Sequence, residues 1–113
     1  MLSRMLSSRG FNVVVKDVSE KDLYGVLQRF KLLYAVSSDR RVVFTVRVRS
    51  DGYARLHLAR QGLGGSDVER IVDGLESLGY TVSGDRELVT ATLHTRIESL
   101  YSIAVKTIDY AVT

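Results

Sequence analysis

The chain contains no cysteine, no proline and no tryptophan, and two of these absences exclude classes of structure or function. Without cysteine there is no disulfide, no thiolate nucleophile and no Cys-ligated zinc or iron–sulfur site. Without proline, the turns must be built by glycine and by Asp, Ser or Asn. No apolar run approaches the ~18 residues of a membrane span, so we expect no membrane segment.

The residues that are present are typical of one globular domain. The chain has 113 residues, of which 45% are hydrophobic and 26% charged, with a net charge of +3. Arginine outnumbers lysine by 12 to 4. The guanidinium fork suits phosphates and carboxylates, although the same bias is typical of a heat-adapted surface or of codon usage. The first ten residues predict a short helix rather than a targeting peptide, so we expect a cytoplasmic protein.

The N-terminal third predicts a helix, a strand and a second helix. The first helix is expected to stop at Gly10, and residues 11–18 read as a strand. Residues 19–22 have the form of a capping box, which predicts a helix of about three turns behind it. Its apolar stripe would be Leu23, Val26, Leu27 and Phe30. Residues 32–37 are ambiguous between the end of that helix and a strand, and the polar turn that follows favours the strand.

The clearest local pattern is a β-hairpin over residues 42–60, with apolar and polar residues alternating on both arms. A two-residue turn would place Val48 opposite Arg55 and mix the two faces. A three-residue loop, residues 50–52 with Gly52 in the left-handed conformation, places Val48 opposite Ala54 and keeps the apolar residues together. We therefore predict the three-residue loop.

The C-terminal half predicts a helix over residues 66–78, a second hairpin (residues 80–83 and 88–94) and a last helix that starts at residue 95. The last helix would bury Ile97, Leu100, Tyr101, Ala104, Ile108 and Ala111. The expected fold class is α+β. It is a single-layer, mainly antiparallel sheet of four to six strands, with two hairpins and with helices packed mostly on one face. The strand order is left open.

The outward face of the 42–60 hairpin is the candidate site. It consists of Arg47, Arg49, Tyr53, Arg55 and His57. The register places Arg47 opposite Arg55, and like charges facing each other across a ladder are destabilising, so a phosphate, a carboxylate or a partner protein would compensate. The alternative is a solvated sheet face on which the guanidinium groups fan apart. Residues 40–60 carry six arginines against one aspartate, a net charge of +5.

Two functions compete for this site. The helix at 66–78 has four acidic residues against Arg70, a net charge of −3. This opposite charge favours a non-catalytic interaction module or small accessory subunit that self-associates through its basic (40–60) and acidic (66–78) surfaces, as a homo-oligomer or with a protein partner. The alternative is an RNA- or DNA-binding domain, because a sheet face with arginines and an aromatic residue is typical of single-strand binders.

The sequence has few residue patterns that could support catalysis or bind a cofactor. His57 and His94 are the only histidines and lie on separate hairpins, so no metal-ligating pair is predicted. The glycine-rich stretch at 61–66 matches no phosphate-binding fingerprint. The acidic residues at 17–22 are accounted for by a helix start. We therefore predict that the protein is not an enzyme and uses no cofactor.

Overall fold

The computed structural model describes residues 2–62 and 65–112, with only the backbone described for residues 65 and 66. The described residues form three helices and six strands. In chain order these are α1 (Leu2–Ser8), β1 (Phe11–Lys21), β2 (Leu27–Ser37), β3 (Val42–Arg49), β4 (Tyr53–Gln61), α2 (Gly65–Ser77), β5 (Thr81–Gly84), β6 (Leu88–Arg96) and α3 (Ile97–Val112).

The six strands form one antiparallel sheet in the order β1-β2-β3-β4-β6-β5. The three helices pack on one face of it. The core between the helices and this face is made by alternate residues of the central strands, with Phe44, Val46, Leu56 and Leu58 fully buried. The predicted fold class is confirmed.

The predicted register of the 42–60 hairpin is correct. Val48 lies opposite Ala54, Val46 opposite Leu56 and Arg47 opposite Arg55. Gly52 has φ +90°, the left-handed conformation that the three-residue loop needs and that a residue with a Cβ adopts only at a cost. The Asp51 side chain closes the loop by accepting a hydrogen bond from the N–H of Tyr53 at 3.2 Å.

The predicted helix over residues 19–30 is wrong, because this segment is the tip of a long hairpin. Strand β1 continues to Lys21 and β2 begins at Leu27. One Asp22 carboxylate oxygen accepts hydrogen bonds from the N–H groups of Tyr24 and Val26, both at 2.9 Å. The residue that was expected to support a helix start therefore closes a turn, and Gly25 (φ +77°) completes it.

The β1–β2 hairpin projects beyond the rest of the sheet. The last residue of β3, Arg49, pairs with Phe30, so the strand residues nearer the tip have only each other as neighbours. Leu23 and Tyr24 at the tip are almost fully exposed. Residues 32–37 lie within β2, as the strand interpretation predicted.

The two C-terminal helices start within two residues of their predicted positions and bury most of the predicted apolar residues. In α3, Leu100, Ala104, Ile108 and Ala111 are buried. Ile97 and Tyr101 are instead exposed, which corrects the predicted stripe. Tyr101 faces solvent because the adjacent Leu100 occupies the side of the helix that meets the sheet, and Ile97 is the first residue of α3. Leu63 and Gly64 of the glycine-rich stretch, and the Ser66 side chain at the predicted start of the helix, lie outside the described part of the chain.

Candidate functional site

The sheet face opposite the helices carries the predicted site residues. We call it the open face. It is formed by the side chains that alternate with the buried ones, and all five predicted residues, Arg47, Arg49, Tyr53, Arg55 and His57, lie on it. Neighbouring strands add further basic, aromatic and polar residues to the open face: Lys16, Phe30, Leu32, Tyr34, Thr92, His94 and Arg96.

A row of basic residues crosses the middle of the open face. The pairing registers align Lys16 with Leu32, Leu32 with Arg47, Arg47 with Arg55 and Arg55 with His94. At roughly 4.8 Å between neighbouring strands, this row spans about 19 Å over five strands. Within this row Lys16, Arg47 and Arg55 supply positive charge from three strands, with the apolar Leu32 between Lys16 and Arg47.

Phe30 fixes the position of Arg47. The guanidinium carbon of Arg47 lies 4.4 Å from the centre of the Phe30 ring, within cation–π distance. Although Phe30 belongs to the open face, only 9% of it is exposed. Sequence reasoning missed this residue because it placed Phe30 on a helix. The alternation of Phe30, Leu32 and Tyr34 with Lys31, Leu33 and Ala35 was the signal for a strand.

The two facing arginines have no carboxylate to neutralise them. Within residues 2–62 and 65–112, neither Arg47 nor Arg55 has an acidic oxygen within 4.0 Å. By contrast, Arg49 pairs with Asp51 of its own loop at 3.3 Å. No ion pair within the described part of the chain therefore compensates the two arginines, and the nearby acids Glu20 and Asp51 line the same cavity of about 230 Å³ without pairing with them.

Aromatic and polar side chains border this pair. Tyr53 is 46% exposed, and the guanidinium of Arg96 lies 5.8 Å from its ring centre. His57 Nδ1 lies 3.1 Å from Thr92 Oγ1 across the β4–β6 pair, which orients the imidazole ring along the face. A shallow depression of about 180 Å³ is lined by Leu32, Thr45, Arg47, Arg55 and His57. The cavity of about 230 Å³ shares Arg47 and Arg55 with this depression and is also lined by Phe30, Tyr53 and His94. The site is thus a surface with two open cavities.

The basic segment 40–60 is not one surface. Arg40 and Arg41 lie in the β2–β3 turn. Arg60 belongs to the helix-covered side, where its Nε donates to the carbonyl of Ala111 at 2.9 Å in the last turn of α3. A cation there satisfies a terminal carbonyl and complements the helix dipole. Only Arg47, Arg49 and Arg55 of the six arginines therefore belong to the open face.

The β2–β3 turn next to Arg41 contains Asp39, whose carboxylate accepts two hydrogen bonds. Ser37 Oγ donates to its carboxylate at 2.6 Å and the N–H of Arg41 donates at 3.0 Å. These two hydrogen bonds lower the pKa of Asp39 below its usual value. They stabilise the turn that separates Arg40 and Arg41 from the open face.

The acidic helix lies on the other side of the sheet. Ile71 and Leu75 of α2 are buried against the core, so α2 packs on the helix-covered face. Its acidic residues are solvent-facing or partly so, and Asp67 accepts a hydrogen bond from Arg70 at 3.2 Å. The two oppositely charged segments are therefore separated by the thickness of the sheet.

In the part of the chain that the structure describes, no three His, Asp or Glu side chains converge as a metal site requires. No helix in those ranges is long and apolar enough to cross a membrane. Comparison with protein-family models, with curated proteins and with solved structures finds no match in any of the three.

Proposed function

We propose that the protein is a non-catalytic binding module whose open face binds single-stranded nucleic acid. The observation that carries the proposal is the Arg47–Arg55 pair, two facing cations on a helix-free sheet face that have no carboxylate oxygen within 4.0 Å among the described residues. A polyanion supplies the missing negative charge. Of the two functions that the sequence suggests, self-association and nucleic-acid binding, this geometry favours nucleic-acid binding.

The open face offers two kinds of contact to a single strand. Arg47, Arg55 and Lys16 supply cations for the phosphates, and the binding free energy gained by releasing counterions makes such contacts salt-dependent. Tyr34 and Tyr53, each about half exposed, supply rings on which bases stack. Phe30 lies beneath Arg47 and holds its guanidinium in place instead of stacking on a base.

A broad sheet face favours single strands over duplexes. A flat array of strands cannot enter the major groove as a helix or a two-stranded ribbon does. The unstacked bases of a single strand can instead spread over the sheet. We expect labelled single-stranded oligonucleotides to raise the fluorescence anisotropy saturably, with a dissociation constant that rises steeply between 50 and 200 mM salt, and duplexes of the same length to bind more weakly.

The charge contribution is tested with Arg47→Ser/Arg55→Ser. This variant is expected to lower the slope of log K against log salt by about 1.4, since each phosphate contact on a single strand contributes about 0.7. The matched control is Arg4→Ser/Arg86→Ser, which removes the same charge from α1 and from the β5–β6 turn. Equal losses in both variants, or unchanged binding in the first, would contradict the proposal.

The stacking contribution is tested with Tyr53→Ala. The control is Tyr101→Ala, because Tyr101 has nearly the same exposed fraction (45% against 46%) but lies on α3. Loss of one stacked base costs about 1–3 kcal/mol, which corresponds to roughly fivefold to 150-fold weaker binding for Tyr53→Ala. Binding to the Tyr101→Ala variant is expected to equal that of the parent protein.

Self-association through the basic and acidic surfaces is the second candidate function, and the charge separation across the sheet favours it. Because α2 lies on the side away from Arg47 and Arg55, each copy would place its open face on the α2 side of the next. Such a heterologous contact continues as a stack rather than closing as a dimer. Light scattering would then show a mass that grows with concentration and collapses above about 0.3 M salt, where the Debye length is only a few ångströms.

A further inference from the structure

The two edges of the sheet differ in how they are protected. Strand β5, at one edge, has four residues and lies against α2. Strand β1, at the other edge, also lies against a helix (α1), but it has eleven residues and keeps a regular pairing with β2 along its whole length. Natural proteins protect an edge with a short strand, a charge, a proline or a bulge, because its unpaired N–H and C=O groups can pair with another strand. Residues 11–15 of β1 have no charge and no proline.

The hydrogen bonds of the hairpin show which groups of β1 face outward. The N–H of Asp22 donates to the carbonyl of Val26 at 2.9 Å, in the register that continues along β1 and β2. Hydrogen-bonded pairs alternate along an antiparallel ladder. The even-numbered residues of β1 therefore bond to β2, and the odd-numbered ones, including Val13 and Val15, direct their N–H and C=O groups to the outside.

The same stretch exposes apolar side chains on both faces of the sheet. Val14 on the open face is 48% exposed, and Val15 on the helix side is 52% exposed. Val13 is half-buried against the core. Three consecutive β-branched residues, two of which (Val13 and Val15) direct their backbone groups outward, form a strand edge that is suited to strand addition.

We infer that β1 pairs antiparallel with β1 of a second copy of this chain, centred on Val14. Antiparallel self-pairing through the outward groups requires odd-numbered residues to face odd-numbered ones. The two-fold axis therefore lies midway between one residue of β1 and the same residue of the second copy, and an axis is named below by that residue. An axis at Lys16 or Asp17 sets like charges opposite each other, and an axis at Val15 sets two valines, Val13 and Val14, against the charged Asp17 and Lys16. An axis at Val13 pairs only residues 11–15 of β1, whereas an axis at Val14 pairs residues 11–17. An axis at Val14 sets Val13 against Val15 and Val14 against its own copy.

This register leaves no like charges opposite each other. Asn12 faces Lys16, and Phe11 faces Asp17. A two-fold axis perpendicular to the sheet joins two six-stranded sheets into one of twelve strands and places both open faces on the same side. The inference rests on the β1 edge alone and does not depend on nucleic-acid binding.

A single engineered cysteine tests the register, because the chain has none of its own. Around an axis at Val14, the two Val14 residues form a non-hydrogen-bonded pair with Cα atoms about 4.5 Å apart, within the range that a disulfide spans. Val14→Cys is expected to give a disulfide-linked dimer under mild oxidation. Asn12→Cys and Val18→Cys, on the same strand and the same face, are expected to stay unlinked. In the proposed register each of these residues lies several residues along the strand from the same residue of the second copy.

A pair of proline variants tests the edge itself. Val15→Pro removes an outward N–H and leaves the β1–β2 ladder intact, whereas Val14→Pro removes a bond to β2. In analytical ultracentrifugation the parent protein is expected to be a dimer. Val15→Pro is expected to raise its dissociation constant at least about thirtyfold, since two interchain hydrogen bonds are lost per dimer. Val14→Pro is expected to lower the melting temperature more than Val15→Pro does.

Three results would overturn the inference: a parent protein that is monomeric at millimolar concentration, a dimer that Val15→Pro leaves intact, or cross-linking at residue 18 in preference to 14. If Val15→Pro does not fold, Val15→Lys places a charge on the same edge and is read by the same sedimentation experiment. Because Arg47 and Arg55 are unchanged in all of these variants, failure of the dimer leaves the oligonucleotide measurements as an independent test of the proposed function.

Discussion

The two faces of the sheet are built by the same strands and have opposite chemistry. In β3, Phe44 and Val46 lie under the helices with no exposed surface, and Thr45 and Arg47 alternate with them on the open face. The helix-covered face carries the core, and the open face presents cations and rings to solvent. Because side chains alternate with a period of two, stability and binding are assigned to neighbouring residues of the same strand.

The largest expected effect is a difference in the free energy of unfolding between substitutions at two adjacent residues, one on each face. Phe44→Ala removes a fully buried ring from the centre of the core and is expected to lower the free energy of unfolding by about 3–5 kcal/mol. Thr45→Ala, one residue further, changes the open face and is expected to cost less than about 1 kcal/mol. Urea denaturation of both variants measures the difference. Similar losses at 44 and 45 would contradict the division between the faces.

The second prediction concerns a polar contact inside the helix-covered side. The hydroxyl of Thr107 donates to the carbonyl of Ile103 at 2.7 Å, so the Tyr80 hydroxyl donates to Thr107 at 2.8 Å. Burial raises the pKa of Tyr80 to about 12. Between pH 10 and 12 the unfolded chain loses this proton and the folded chain keeps it. Stability is therefore fully present below pH 10 and falls by about 2–3 kcal/mol on approaching pH 12.

Tyr80→Phe isolates this contribution. At pH 7 the variant is expected to lose about 1 kcal/mol with the hydrogen bond. Above pH 10 its stability should decline less steeply than that of the parent, and the two curves should cross at about pH 11. Thermal denaturation from pH 7 to 11.5 measures both curves. Parallel curves over this range would show that Tyr80 titrates normally.

These comparisons also show which parts of the fold the sequence could predict. The 42–60 hairpin was predictable to the residue, because alternation on both arms and a glycine-containing loop agree on one register. The segment 19–30 was not, because Ser19 and Asp22 followed by spaced apolar residues match a helix start as well as a hairpin. Tertiary pairing of β1 with β2 decided the outcome.

The candidate site was predictable only in part for the same reason. Its five residues on β3 and β4 followed from local alternation. Lys16, Phe30 and His94 belong to the site through the strand order, which no local pattern specifies. Phe30 could be placed on the open face only if its segment was recognised as a strand, since the predicted helix would have buried it in the core. Pairing between strands that are distant in sequence therefore determined the part of the site that local sequence patterns could not predict.

The third prediction tests close packing within the helix layer. A Cβ added to Gly74 would lie 2.5 Å from the Tyr110 ring. Alanine normally stabilises a helix interior by about 1 kcal/mol relative to glycine. Here the overlap is expected to outweigh that gain, so that Gly74→Ala lowers the free energy of unfolding by about 1–2 kcal/mol. The double-mutant cycle with Tyr110→Ala is expected to recover part of the loss, and strict additivity would argue against direct contact.

The smallest expected effect distinguishes the two arginines at the centre of the open face. They face each other and repel, but only Arg47 rests on the Phe30 ring. Arg55→Thr removes the repulsion and keeps the cation–π contact, so it is expected to raise stability by a few tenths of a kcal/mol, more at low salt. Arg47→Thr removes both and is expected to lower stability by up to about 1 kcal/mol. Paired thermal melts at 20 and 500 mM salt measure these shifts. If Arg55→Thr is destabilising at low salt, the two guanidinium groups do not repel each other in the folded protein.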